Sequence, residues 1–286
     1  MSVTASTMLK WEVLVTNRQG LTRDLPPGKE KWMWVPTSAT LIYGERDAVL
    51  VDAFLTIEQA HAAVEWIAAS GKNLTTIYIT HGHGDHFFGV NTIQKKFPKA
   101  RFVATSEVIA VMRKQASVPV VESYWKPRFP GQIDSTLLIA DELKDRVLEL
   151  EGEQLISISL GHTDTDSTTC LHVPSIGLAV CGDALYNDVH LHLGESNAEG
   201  RNEWIAALDT IESLKPVAAI AGHKRPGAPD TPDNIEATRK YIRDFDRIAS
   251  HTKTAVELYK QMLTLYPERI NPAVLWNSSV AIKPVG

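Results

Sequence analysis

The sequence predicts a layered α/β fold in which two β-sheets pack face to face with helices outside them. Strand-like runs alternate with helical patterns in the first half, and are followed by a block of strands and then a block of helices. No internal repeat, low-complexity tract or long linker divides the chain, so residues 1–286 are expected to form a single domain. At 286 residues and 44% hydrophobic content the chain has ample material for a buried core, which excludes a disordered or collagen-like protein.

The elements follow in order. The proline- and charge-rich segment Gly20–Val35, with Trp32 and Trp34, reads as a loop. Ala39–Tyr43 and Ala48–Asp52 flank Gly44-Glu45-Arg46-Asp47, a hairpin pattern. Thr56 and Gln59 stand at capping-box spacing, which predicts a helix with Ala60, Val64 and Ile67 facing inward and Gly71 as its stop. A strand at Thr75–Thr80, a helix over Phe88–Phe97, a strand at Arg101–Ala104 and a helix over Glu107–Lys114 come next. Strands are expected at Thr136–Ala140, Val147–Glu151, Gln154–Leu160, Thr168–Val173 and Gly177–Cys181, then a helix over Asn202–Leu214 and a strand at Val217–Ala221. Thr231-Pro232-Asp233 opens the C-terminal helices, with Thr231 as cap and Pro232 at the first helical position, and Tyr241, Phe245 and Ile248, then Val256, Tyr259 and Met262, form packing stripes there.

Charge narrows the partners. Lys and Arg number 29 against 34 Asp and Glu, a formal net charge of −5, so there is no basic field for a polyanion and nucleic acid is not expected to bind. No run approaches the roughly 18 apolar residues of a membrane span, and Met1–Lys10 lacks a signal-peptide core. The two cysteines suit a reducing compartment. A cytoplasmic protein acting on a small molecule, without a membrane partner, is the expectation; the oligomeric state is left open, a homodimer included.

The chemistry concentrates at strand ends. Thr75–Thr80 runs into His81-Gly82-His83-Gly84-Asp85-His86, four metal-ligand side chains within six residues. The intervening glycines let the backbone bend so that neighbouring side chains can converge. Later Gly161-His162, Gly182-Asp183 and Gly222-His223 each follow an apolar strand.

With these motifs the chain resembles the metallo-β-lactamase-fold hydrolases, whose pattern is His-x-His-x-Asp-His, a His in a Gly-His-Thr context, an Asp after Gly, and a final His. The resemblance spans residues 81–223 and implies an αββα sandwich of two mixed β-sheets flanked by helices, with the C-terminal helices from about residue 231 added to it. It implies two zinc ions per chain, with iron or manganese as alternatives. His81, His83 and His162 would hold one ion, Asp85, His86 and His223 the other, and Asp183 would bridge them. An Asp at 183 is similar to the glyoxalase II and lactonase branch, whereas the true β-lactamases carry Cys or Ser there. Two features depart from the family pattern: Phe87 and Phe88 follow His86, and Asp164-Thr165-Asp166-Ser167 follows Thr163 in place of Pro-Gly.

Two ions at such a site would hold a bridging hydroxide near neutral pH that attacks the carbonyl of a lactone, thioester or β-lactam. Asp85 is expected to orient the attacking water or relay its proton, and Tyr186 to donate to a developing oxyanion. There is no Gly-x-Ser-x-Gly elbow and no phosphate loop. The alternatives are a phosphodiesterase or nuclease on the same scaffold, and a mononuclear iron dioxygenase. His190 and His192 share one face of an extended segment and are expected to bind substrate or stand on a partly exposed strand. Trp34 and Phe87, with Trp32, Phe88, Tyr124 and Trp125, fall in predicted loops and either rim an apolar substrate pocket or close the sandwich edge. Asp52 reads as a hydrogen-bond partner behind a ligand, Cys181 as a packed thiol, and His61, His172 and His251 as structural or surface groups.

Overall fold

The computed structural model describes residues 8–21, 25–26 and 32–286. Thirteen strands are present among them: β1 (Lys10–Leu21), β2 (Trp32–Tyr43), β3 (Asp47–Val51), β4 (Asn73–Tyr78), β5 (Arg101–Ala104), β6 (Asp141–Glu142), β7 (Val147–Leu150), β8 (Glu153–Gly161), β9 (Thr168–Val173), β10 (Leu178–Val180), β11 (Tyr186–Asn187), β12 (Ala218–Ile220) and β13 (His223–Lys224). They form two mixed sheets, one in the order β11-β13-β2-β3-β4-β5-β6 with β1 on β2, the other β12-β10-β9-β8-β7.

Period-two alternation explains why these sheets stack. In β3, Ala48 and Leu50 face one apolar cluster while Val49 and Val51 face another. In β10 and its continuation, Leu178 and Val180 join Val49 and Val51 between the sheets, while Ala179 and Cys181 face the opposite layer. Strands buried on both faces read as continuous apolar runs, which is why β3 and β10 were legible without an alternating pattern. The Tyr78 hydroxyl lies 2.6 Å from Ser157 Oγ and 2.7 Å from Thr169 Oγ1, stitching the sheets together. The Thr169 amide and hydroxyl both donate to the Thr80 carbonyl, at 2.9 and 2.6 Å, which binds the end of β4 to β9.

Helices cover both outer faces. On the larger sheet lie α1 (Ile57–Ala69), α2 (Gly84–Phe87), α3 (Val90–Lys96) and α4 (Ser106–Gln115). Thr56 caps α1 by accepting from the Gln59 amide at 3.2 Å, and Gly71 beyond its end takes φ +68°, which favours glycine. A broken helical stretch follows, from α5 (Val118–Val120) through a π-helical turn at Val121–Trp125 to α6 (Lys126–Arg128). On the smaller sheet lie α7 (Ala198–Ser213), α8 (Asp233–His251), α9 (Ala255–Leu265) and α10 (Pro272–Ile282). The α8 stripe of Tyr241, Phe245 and Ile248 is buried there beside Trp204 of α7. No helix among the described residues is long and apolar enough to cross a membrane.

Four expectations change. Trp32–Val35 is strand, because it pairs with β1, a strand absent from the sequence reading; residues 22–24 and 27–31 of the expected loop lie outside the described residues. Thr136–Ala140 is irregular, and the strand begins at Asp141, where backbone pairing with β5 starts. Tyr124 and Trp125 sit in the π-helical turn rather than a loop. Thr231 does not cap α8, whose N-cap position is Pro232.

Asp244 joins the C-terminal helices, pairing with Lys240 and Arg247 (2.8 Å) on α8 and accepting from the Tyr266 hydroxyl at 2.7 Å. Burial would raise its pKa, but Lys240, Arg247 and Tyr266 hold the carboxyl down at about 2. A depressed native pKa gives stability that is present above the unfolded value near 3.9 and lost as pH falls through about 2. Asp244→Asn is therefore expected to cost about 1 kcal/mol at neutral pH, after allowance for solvent screening, and to flatten the loss of stability below about pH 4. Thermal melts across that range check it.

Candidate metal centre

The ligand-type residues meet at one end of the sandwich, at the carboxyl ends of parallel strands, where open α/β sheets place their sites. β4 delivers the His81–His86 segment. The parallel pair β10 and β12 emerge side by side, so Gly182-Asp183 and Gly222-His223 leave the small sheet together. The Gly222 amide donates to the Gly182 carbonyl at 2.8 Å, and a Cβ at Gly222 would lie 2.1 Å from Asp183 Oδ1. Only glycine allows that approach.

Asp183 is the junction. Its Oδ1 lies 3.2 Å from His86 Nε2, and its Oδ2 lies 3.0 Å from His223 Nε2 and 3.9 Å from His81 Nε2. Asp85 Oδ2 lies 3.5 Å from His223 Nε2. Three overlapping groups result, within each of which the ligand atoms lie no more than 4.8 Å apart: His81, His83, Asp164 and Asp183; Asp85, His86 and His223; and Asp52, His81 and His86. All are buried.

His81, His86 and His223 offer one nitrogen inward and hold the other outward, whereas His83 Nε2 is buried without a hydrogen-bond partner. His86 Nδ1 lies 3.0 Å from Asp52 Oδ2, and Asp52 in turn accepts from the Thr80 amide at 2.9 Å. His81 Nδ1 meets Thr80 Oγ1 at 3.0 Å, and His223 Nδ1 meets the Pro36 carbonyl at 3.1 Å. His83 Nε2 faces Glu195 Oε1 at 3.4 Å. Such outer partners fix ring orientation in metal sites.

The inward atoms are left over. His81 Nε2, His86 Nε2, Asp164 Oδ2 and Asp183 Oδ1 are buried without a hydrogen-bond partner. Buried polar atoms normally have partners, and a divalent cation would satisfy all four at once. The donor set of imidazole nitrogens and carboxylate oxygens fits such an ion. Electrostatics agree: burial would raise the Asp183 carboxyl, but His223, His86 and His81 hold it well below the carboxylate range. Burial would lower His86, yet Asp183 and Asp52 push it well above the imidazole range. The field that would keep a proton on His86 is the field that attracts a metal ion.

Several residues stand elsewhere than expected. His162 is outside the cluster: its Nδ1 lies 2.6 Å from Asp166 Oδ1 and its Nε2 2.8 Å from Ser196 Oγ. Gly161 at φ +74° starts a turn that carries the ring toward the start of α7, where a Cβ at Gly200 would lie 2.6 Å from His162 Nε2. Asp164 takes the inward position, with Oδ2 3.0 Å from His83 Nδ1. The Asp166–His162–Ser196 chain has the order of a catalytic triad, but Ser196 is buried and its hydroxyl also donates to the Thr163 carbonyl at 2.7 Å, so it ties the loop to α7. Asp164 was within reach of sequence reasoning, being an acid two residues past His162, but only the turn reveals which side chain points in.

His190 is core rather than pocket. It is fully buried with Nδ1 2.8 Å from the Tyr241 hydroxyl, and burial followed by Arg269 pushes its pKa down to about 3. Between Asp188 (φ +60°) and Leu193 only Val189 makes a β-bridge, an isolated one to Ile270, so the segment is not regular and strand parity does not hold. His192 does face the site cavity. Phe87 and Phe88 are buried in the large sheet's outer core, because the α2 turn directs them away from the opening. Trp34, Tyr124 and Trp125 line the cavity; the Trp32 side chain lies outside the described residues. The Tyr186 hydroxyl donates to Asp183 Oδ2 at 3.0 Å instead of standing free for an oxyanion. Burial and the Asp183 charge push it well above the phenol range, so it stays a donor.

The cavity beside the cluster has a volume of about 700 Å³. His83, Asp85, Asp183 and His223 form its floor, and Trp34, Trp125, Val274 and Trp276 are among its walls. Glycine-rich loops supply the floor, and α10 with the π-helical turn supplies much of the wall.

Comparison with known proteins agrees with this geometry. The family model described as the metallo-beta-lactamase superfamily matches residues 32–223, a span that contains every residue of the cluster. The chain belongs to the metallo-beta-lactamase superfamily of hydrolases, and carries a candidate buried His/Asp metal site. A Bacteroides fragilis protein named metallo-beta-lactamase type 2 is 22% identical over 219 residues, 76% of this chain and 79% of that protein. A metallo-beta-lactamase family protein from Thermus thermophilus superposes with a TM-score of 0.63 at 21% identity, covering 93% of this chain and 91% of the other. The metallo-beta-lactamase FIM-1 from Pseudomonas aeruginosa, solved in a mono-zinc form, gives a TM-score of 0.57 at 14% identity, covering 81% and 91%.

Asp52→Asn keeps the shape of the side chain but removes the charge behind His86. It is expected to lower affinity for divalent cations about 10- to 100-fold while leaving the fold intact. Chelator-competition titration alongside circular dichroism measures this.

Proposed function

We propose that the protein uses a pair of divalent cations, zinc in the first instance, to hydrolyse a small ester-like carbonyl compound with an apolar body: a lactone, a thioester or a β-lactam. The observation that carries this reading is the buried, partner-starved His/Asp cluster forming the floor of an apolar cavity of about 700 Å³, a volume suited to a small molecule. Bound at the cluster, the ions would supply an activated water and polarise the scissile carbonyl.

The chain's own residues do the rest. Asp183, Asp85 and His223 hold the charge at the floor, and Tyr186 fixes the Asp183 carboxylate through its hydroxyl. Asp85 is placed at the cavity floor, where it can orient water or carry its proton. Trp34, Trp125 and Trp276 exclude solvent and receive the apolar part of the substrate. Asn271, whose side-chain oxygen is buried without a partner, adds one acceptor to the cavity wall. Asp183, in place of Cys or Ser, favours the lactonase-like reading over a dedicated β-lactamase, although the Bacteroides fragilis relative's name keeps β-lactams among the candidates. The net charge of −5 disfavours a nucleic-acid substrate.

The test is a panel of apolar and polar lactones, thioesters, β-lactams and phosphodiesters. Turnover is expected on carbonyl substrates, lost on chelation and lowered at least 100-fold in Asp183→Asn. Activity confined to phosphodiesters contradicts the proposal. Trp276→Ala is expected to raise KM for apolar substrates several-fold with a smaller change in kcat, as steady-state kinetics would show.

A further inference from the structure

We propose that Asp164, not His162, completes the first cation site, so that the metal pair sits among four imidazoles and three carboxylates. The inference rests on the two-cation reading above and assigns one ligand that the family resemblance places on a different residue.

Three observations carry it. First, Asp164 is fully buried and its Oδ2 has no hydrogen-bond partner, while it lies 3.0 Å from His83 Nδ1 and 3.9 Å from His81 Nε2. A buried carboxylate oxygen that faces two imidazole nitrogens, cut off from water, is costly unless positive charge such as a cation sits among the groups. Second, the other oxygen is already held. Thr163 Oγ1 lies 3.0 Å from Asp164 Oδ1, and the Thr163 amide donates to the Thr165 carbonyl at 2.9 Å. That is how an outer partner orients a ligating carboxylate. Third, both His162 nitrogens are occupied elsewhere, by Asp166 and Ser196, and its ring lies against Gly200. Swinging it inward would break both contacts and would meet Asp164 already in place.

The exchange changes the site's chemistry. A carboxylate in place of an imidazole adds a negative charge and a harder oxygen donor, and carboxylate-rich sites suit manganese and related hard ions better than all-imidazole ones. The first site should accordingly discriminate less in favour of zinc than its three-histidine counterpart would.

The experiment is elemental analysis of the purified full-length chain after zinc loading and exhaustive dialysis, with circular dichroism to confirm folding. Asp164→Asn is expected to lose about one ion per chain relative to the unsubstituted protein, and His162→Ala to lose none; His162→Gln replaces it if the alanine variant does not fold. Asp164→His is expected to regain the ion and, from an equimolar zinc and manganese mixture, to raise the zinc-to-manganese ratio about 10-fold. Loss of an ion from the His162 variant, or full metal content in Asp164→Asn, overturns the assignment. An unsubstituted protein that retains no metal overturns the two-cation reading itself, a result distinct from either.

Discussion

Burial of unpaired lone pairs around Asp183 is the constraint on which the rest depends. A carboxylate surrounded by three imidazole nitrogens within 3.9 Å, cut off from water, is costly to assemble unless something positive sits among the groups. The surrounding architecture serves this arrangement. Gly182 and Gly222 cross closely enough for Asp183 to fit, Tyr186 pins one of its oxygens, and Asp52 and Pro36 hold the backs of His86 and His223. Groups that are strained in isolation become complementary once a cation is present, so metal affinity and folding stability are linked.

The fold divides its labour. Strands buried on both faces supply a rigid platform and bring the ligands out at one rim, where the Thr169–Thr80 contacts bind the sheets together. The wall above comes from different material: α10 at the C-terminal end and the π-helical turn at Val121–Trp125, neither of which contributes a ligand. Chemistry and substrate shape can therefore vary separately. Differences in α10 would retune what fits without disturbing the cations.

What the amino-acid sequence disclosed follows the same division. The ligand-bearing strand ends were legible because His81-Gly82-His83-Gly84-Asp85-His86 is dense and local, and because Gly182 and Gly222 mark close backbone crossings that chemistry needs. The two-sheet architecture was legible from apolar runs such as Val49–Val51 and Leu178–Val180. Three things were hidden. Strand β1 is amphipathic but irregular, and its pairing makes Trp32–Val35 a strand although local composition suggests a loop. His190 was expected beside His192, yet the segment is not a regular strand, so tertiary packing against Tyr241 decides its direction. The choice between His162 and Asp164 turns on the left-handed conformation of Gly161, a property of one dihedral angle rather than of residue type.

Anomalous diffraction from crystals of the metal-loaded protein, recorded at the metal's absorption edge, shows whether cations occupy the space between Asp183 and its imidazoles. Two peaks are expected, one within bonding distance of His86 Nε2 and His223 Nε2, the other of His81 Nε2, with Asp183 between them. Anomalous density absent from that space, or found only at surface carboxylates, would contradict that expectation.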